Sequence, residues 1–150
     1  MDKAQNFTLK DTKNEDVSLD SYKGEKNVVL LFFPLAFSGV CTKELCSTRD
    51  NLKIYESLDA EVFGISIDSF FTLKAFKEAN NLNFKLLSDF NKKVSEMYGV
   101  LYEDYFGMKG VAKRSVFVID RQGGIVHSEI LEDSGKMPNL SKVQEVLADL

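Results

Sequence analysis

Asn27-Val28-Val29-Leu30-Leu31-Phe32-Phe33-Pro34 is the stretch that decides the fold. Six apolar residues follow Asn27 without a charge, rich in β-branched and aromatic side chains, and a proline stops them. Such a run predicts a strand buried on both faces, well inside a sheet. Its continuation, Leu35-Ala36-Phe37-Ser38-Gly39-Val40-Cys41-Thr42-Lys43-Glu44-Leu45-Cys46, turns at the proline and enters a helical pattern running from about Gly39 to Leu58. With Cys41 as origin and about 100° per residue, Leu45, Thr48, Leu52 and Tyr55 all fall within about 40° of it. Cys41 therefore heads the inward stripe of that helix.

Outward from this strand and helix the pattern alternates. Phe7-Thr8-Leu9-Lys10 and Val17-Ser18-Leu19 switch between apolar and polar residues, which predicts an N-terminal edge hairpin. Glu61 to Asp68 reads as a second buried strand, and Ser69 caps a helix to about Asn80 with Phe70, Leu73, Phe76 and Ala79 inward. Phe84 to Leu87 is a short strand, and Asp89 caps a short helix ending at Gly99. Ser115 to Ile119 and Ile125 to Leu131 form a hairpin about the turn Asp120-Arg121-Gln122-Gly123-Gly124. Leu140, Val143, Val146, Leu147 and Leu150 stripe a terminal helix. A βαβ half followed by a ββα half predicts an α/β protein, with a central mixed sheet flanked by helices. That is the plan of the thioredoxin-like fold.

Length and composition bound the function. A chain of 150 residues predicts one domain over 1–150. Its net charge of -4, without a block of lysine or arginine, argues against nucleic acid as a partner. The longest apolar run, Val28 to Phe37, spans ten residues and contains Pro34, too short to cross a membrane. Met1-Asp2-Lys3-Ala4 lacks an apolar export segment, so a cytoplasmic location is expected. Cys41 and Cys46 are the only cysteines and His127 the only histidine, a poor set for a structural metal, and no cofactor is expected. In a reducing compartment, two nearby cysteines are more often redox-active than structural.

With Ser38 as N-cap, Cys41 is the third residue of its helix. There the unpaired backbone N–H groups and the positive end of the helix dipole favour thiolate over thiol. A thiolate attacks a peroxide O–O bond, and an adjacent hydroxyl such as Ser38 can hydrogen-bond the attacked oxygens.

Pro34, Ser38 and Cys41 meet the pattern Pro-x-x-x-Thr/Ser-x-x-Cys on a strand-to-helix turn, and here the sequence resembles the peroxiredoxin family. Phe7-Thr8-Leu9-Lys10-Asp11 with Val17-Ser18-Leu19, Leu86-Leu87-Ser88-Asp89, and Lys113-Arg114-Ser115-Val116-Phe117-Val118-Ile119-Asp120 extend the likeness over nearly the whole chain. The resemblance implies a thiol-dependent peroxidase reducing hydrogen peroxide and organic hydroperoxides, with no metal, haem or flavin. Cys41 would be the peroxidatic nucleophile, shielded by Pro34, with Ser38 on the peroxide. Arg114 would sit beside the thiolate and polarise the peroxide, and Glu44 would hold arginine in place. The segment Phe32 to Cys41 is similar to the alkyl hydroperoxide reductase E-type branch, which often works with one cysteine. Cys41-x-x-x-x-Cys46 is instead similar to the bacterioferritin-comigratory (PrxQ) branch, where the second cysteine resolves the sulfenic acid as an intrachain disulfide. A thioredoxin-like or other dithiol protein would then reduce that bond, and monomers and homodimers both occur on this fold.

Geometry constrains such a disulfide. Residues five apart on an ideal helix have Cα atoms about 8.7 Å apart, whereas a disulfide needs them within about 6.8 Å. Gly39 to about Cys46 would therefore have to unwind.

Plainer readings stand beside these. An inert core cysteine is the alternative for Cys41, which Pro34, Ser38 and the helix start oppose, and a bystander beside a one-cysteine peroxidase is the alternative for Cys46. Glu44 and Arg114 are also read as solvated charges on a helix face and at a strand end. His127 reads as an ordinary sheet residue, and Tyr102, Tyr105, Phe106 and Met108 as packing for a long loop. Two rival functions are a thioredoxin-type disulfide oxidoreductase, which the four-residue cysteine spacing opposes, and a non-enzymatic thiol redox sensor.

Overall fold

In the computed structural model, which describes residues 2–150, the strands are β1 (Thr8–Asp11), β2 (Asp16–Ser18), β3 (Asn27–Phe32), β4 (Ala60–Ser66), β5 (Lys85–Ser88), β6 (Ser115–Ile119) and β7 (Ile125–Ile130). The helices are α1 (Gly39–Asp50), α2 (Leu52–Ser57), α3 (Phe70–Ala79), α4 (Lys93–Met97) and α5 (Leu140–Ala148). Met1, where the export reading begins, lies outside the described residues. All seven strands join one mixed sheet in the order β2-β1-β5-β4-β3-β6-β7. β3 runs parallel to β4 and antiparallel to β6, and the β1–β2 hairpin forms the expected edge. The thioredoxin-like arrangement of sheet and helices is the one expected.

The charge-free run makes β3 the divider between two cores. Val29, Leu31 and Phe33 face a cluster completed by α1, α2, α3 and α5 through Cys41, Leu45, Tyr55, Leu73, Phe76, Val143 and Leu147. Val28, Leu30 and Phe32 face the opposite cluster with Phe7, Val94 and Phe117. Period-two alternation in a strand delivers one apolar set to each face, and this run has no polar set to give to water. Gly64 of β4 lets the layers close: a Cβ there would lie 2.7 Å from Leu86 Cδ2 and 3.3 Å from the Phe33 ring.

The helix expected from Gly39 to Leu58 is two helices, broken at Asn51 (φ -109°, ψ 12°). Side chains compete for carbonyls in that stretch. Thr48 Oγ1 donates to Glu44 O and Asn51 Nδ2 to Ser47 O, and such local bonds draw the backbone out of the regular ladder. The inward stripe survives in Cys41, Leu45, Thr48 and Tyr55, all buried, while Leu52 at the break is half-buried. Asp89 is not the N-cap of α4, which is Lys92 in the left-handed region (φ 66°), but its carboxylate accepts from Val94 N and Ser95 N in the first turn. Among the described residues, no helix is long and apolar enough to cross a membrane.

Candidate active site

The site forms where β3 ends. Pro34 is buried directly after Phe33, and the chain turns through Leu35, Ala36 and Phe37 into Ser38, the N-cap of α1. Phe37 takes a positive φ of 66° and sets its ring edge-on to Phe76, with centroids 5.1 Å apart. A left-handed aromatic residue is costly, and such strain gathers where neighbours over-determine the backbone. One of those neighbours is Asp68, whose Oδ2 accepts from Ala36 N at 2.8 Å and from Ser66 Oγ at 2.6 Å.

Cys41 sits at the third helical position, fully buried. The Ser38 side chain differs from an ordinary cap. Its hydroxyl donates to Leu35 O at 2.9 Å and makes no capping bond, so its oxygen keeps its lone pairs free toward the turn. The first turn of α1 is closed by Thr42 instead, whose N and Oγ1 both donate to Ser38 O.

Arg114 comes from the other side of β3. Phe32 pairs with Ser115 across the β3–β6 ladder, so the residue before Ser115 stands next to Phe33 and Pro34. Its guanidinium is spent on three neighbours. Nη2 donates to Cys41 Sγ at 3.1 Å and Nη1 to Glu44 Oε1 at 3.1 Å. Nη2 and Nε also donate to Ser134 O at 3.1 and 3.3 Å. The solvated readings of Glu44 and Arg114 are thereby overturned: their side chains are 0% and 1% exposed. Glu44 lies one helical turn beyond Cys41, on the same inward face, and so reaches the same guanidinium.

Charge in this enclosure is shared unequally. Burial lifts the Glu44 carboxyl to about 7, although the charge and hydrogen bond of Arg114 pull the other way. Burial works against the Arg114 charge, but negative charge on Cys41 and Glu44 outweighs it and raises the guanidinium above its ordinary value. Arg114 is thus a cation in direct contact with the Cys41 sulfur.

Cys46 is on the same helix but apart from this network. It is half-buried, and its thiol donates to Asn80 Oδ1 at 3.7 Å, at the end of α3. Both cysteines are free thiols. His127 lies in β7 and Nε2 has no partner among the described residues, and Tyr102 and Tyr105 stack with centroids 4.9 Å apart.

Sequence reasoning missed three contributors. Ser134 acts through a main-chain oxygen, which no side-chain identity announces, and Tyr105 OH holds its side chain at 3.0 Å. In the sequence, Asp68 stands only at the end of a strand and Asn80 only at the end of a helix.

On a thioredoxin-like sheet, a lone thiol at a helix head against a guanidinium defines a thiol-dependent peroxidase; disulfide oxidoreductases set Cys-x-x-Cys there. Residues 1–128 match the AhpC/TSA family, and the chain belongs to that family of peroxiredoxins. It is 42% identical to alkyl hydroperoxide reductase E of Mycobacterium tuberculosis over 129 residues, covering 85% of this chain and 82% of that protein. It is 43% identical to the chloroplastic peroxiredoxin Q of Triticum aestivum over 118 residues, 79% of this chain and 52% of that one. The crystal structure of peroxidoxin BcpB from Mycobacterium tuberculosis superposes with a TM-score of 0.88 at 28% identity, over 99% of this chain and 96% of that chain. Both branches found in the sequence thus recur among its relatives.

Proposed function

We propose that this peroxidase reduces hydrogen peroxide and organic hydroperoxides at Cys41 and is resolved by Cys46. The thiolate sulfur attacks one peroxide oxygen, the O–O bond breaks, and the departing oxygen takes a proton to leave as water or alcohol. Cys41 is left as sulfenic acid. Arg114 and Ser38 are the groups that meet the peroxide. The guanidinium steadies the charge that moves from sulfur to the leaving oxygen, and the Ser38 oxygen accepts from the peroxide O–H. Glu44 positions Arg114, and Pro34 shields the sulfur. The reading is carried by one contact, Arg114 Nη2 on Cys41 Sγ at 3.1 Å.

Cys46 then condenses with the sulfenic acid, releasing water and forming an intrachain disulfide, which an external dithiol protein, thioredoxin-like or other, reduces. Both cysteines lie within α1, so its first turns must unwind. Those turns are held lightly: glycine opens the helix, its first turn has no acidic residue, and Ser38 supplies no side-chain cap. Opposing the opening are the burial of Leu45, worth about 2 kcal/mol, and the enclosed contacts of Arg114 with Glu44 and Cys41.

The test is intact mass after one equivalent of hydrogen peroxide is added to reduced protein and quenched within seconds. Loss of two hydrogens, abolished by Cys41→Ser, is the expected result. Gain of one oxygen alone would leave a one-cysteine peroxidase, and an unchanged mass would overturn the proposal.

A further inference from the structure

The far half of α1 is tied to the end of α3 at a single residue. Asn80, the C-cap of α3, receives the Cys46 thiol on Oδ1 at 3.7 Å and Arg49 Nη1 on its main-chain oxygen at 2.6 Å. Its own Nδ2 donates to Phe76 O at 3.0 Å, which fixes the amide and leaves Oδ1 turned to the sulfur. Asn83 Nδ2 completes the junction by donating to Arg49 O at 3.3 Å. None of these groups takes part in the attack on peroxide at Cys41.

We propose that Asn80 is a positioning residue for disulfide closure: it parks the reduced Cys46 thiol against α3, and Cys46 reaches Cys41 only after that hydrogen bond breaks. This rests on the reading of Cys46 as the resolving thiol. The bond delays closure by holding the sulfur on α3, away from Cys41. Arg49 binds the main-chain oxygen of Asn80, so it keeps the end of α1 moored while the turns before it open.

The delay has a chemical consequence. In closure the Cys46 sulfur bonds to the Cys41 sulfur, and the sulfenic hydroxyl leaves with the Cys46 proton as water. Until then a second hydroperoxide competes for the sulfenic acid, passing on one oxygen to give sulfinic acid and leaving as water or alcohol. Asn80 thereby sets how much peroxide the enzyme withstands before it is over-oxidised.

Two substitutions separate this role from plain helix capping. Asn80→Ala loses both the acceptor for Cys46 and the donor to Phe76 O, whereas Asn80→Asp keeps the acceptor and loses only the donor. Rapid-quench intact mass after addition of hydrogen peroxide reads oxygen gain, loss of two hydrogens and sulfinic acid in one series. Oxygen gain should run at the same rate in all three proteins. Loss of two hydrogens should be about threefold faster in Asn80→Ala, the weight of one weak hydrogen bond, with less sulfinic acid at excess peroxide. Asn80→Asp should close no faster than the parent protein. Should Asn80→Ala fail to fold, Asn80→Ser, whose shorter side chain does not reach Cys46, takes its place. Equal rates in parent and Asn80→Ala, or a like acceleration in both variants, would overturn the role of Asn80 while leaving Cys46 as resolving thiol. A parent protein that never loses two hydrogens would overturn both.

Discussion

Glu44 and Arg114 form an ion pair closed off from solvent, with Oε1 3.1 Å from Nη1 and the second carboxylate oxygen, Oε2, without a hydrogen-bond partner among the described residues. One bond to a guanidinium is thin compensation for a buried carboxylate, which is why burial lifts Glu44 to about 7.

That shift makes stability depend on pH. The Glu44 pKa is raised from 4.5 to about 7, so between those values the folded protein holds a proton that the unfolded chain releases. Stability therefore falls as pH rises through this window, by roughly 3 kcal/mol in all from this one group. Glu44→Gln should remove that slope. Urea unfolding of both proteins at pH 5 and pH 8 reads it, and parallel behaviour of the two would contradict the assignment.

Arg114 should be irreplaceable by lysine. A lysine keeps the charge but cannot span Cys41, Glu44 and Ser134 O at once. Arg114→Lys is expected to slow oxidation of Cys41 by hydrogen peroxide about 100-fold, the scale for losing a donor aimed at developing charge. Stopped-flow tyrosine fluorescence or quenched mass would follow it, and a rate within twofold of the parent would remove Arg114 from the chemistry.

At Gly64 the expected effect is steric. A methyl group 2.7 Å from Leu86 Cδ2 and 3.3 Å from Phe33 must push one of them aside. Gly64→Ala should lower stability by about 1–3 kcal/mol. Leu86→Val in the same chain should recover part of the loss, a coupling that thermal unfolding of the single and double variants measures.

Asp68 should matter to Cys41 without touching it. Asp68→Ala frees Ala36 N and Ser66 Oγ, at a cost of about 1–2 kcal/mol, and loosens the turn that carries Ser38. Slower oxidation of Cys41 is expected, with most of the rate retained in Asp68→Asn, which keeps an acceptor. Equal rates in the parent and Asp68→Ala would sink the claim.

The parts of this protein that were legible in its sequence are those written in side-chain periodicity. The β3 run could be nothing but an inner strand, and Cys41, Leu45, Thr48 and Tyr55 repeat at helical spacing whatever happens at Asn51. The break itself was invisible because it is made by hydrogen bonds from Thr48 and Asn51 to carbonyls a turn away, which leave the apolar pattern unchanged. In the site, position along a helix pointed to Cys41. Arg114 and Glu44 were legible only through the family resemblance, because periodicity alone leaves them as surface charges and the β3–β6 register is what folds 70 residues of chain between them. Ser134, Asp68 and Asn80 act through a carbonyl, a backbone amide and a thiol far away in sequence, and no local pattern encodes such pairings.

The break at Asn51 also separates the hydrogen-bond ladder of α1 from that of α2. Helix hydrogen bonds are lost cooperatively along a continuous ladder, and here the ladder stops at Asp50. Tyr55, 1% exposed, pins α2 into the core beside β4 on the far side of the break. Opening of α1 therefore ends at a fixed point, like a zipper with a stop sewn into it. If α1 opens for closure of the proposed disulfide, amide exchange should quicken over Gly39 to Cys46 while α2 and the sheet beneath keep their protons, leaving an intact template for refolding.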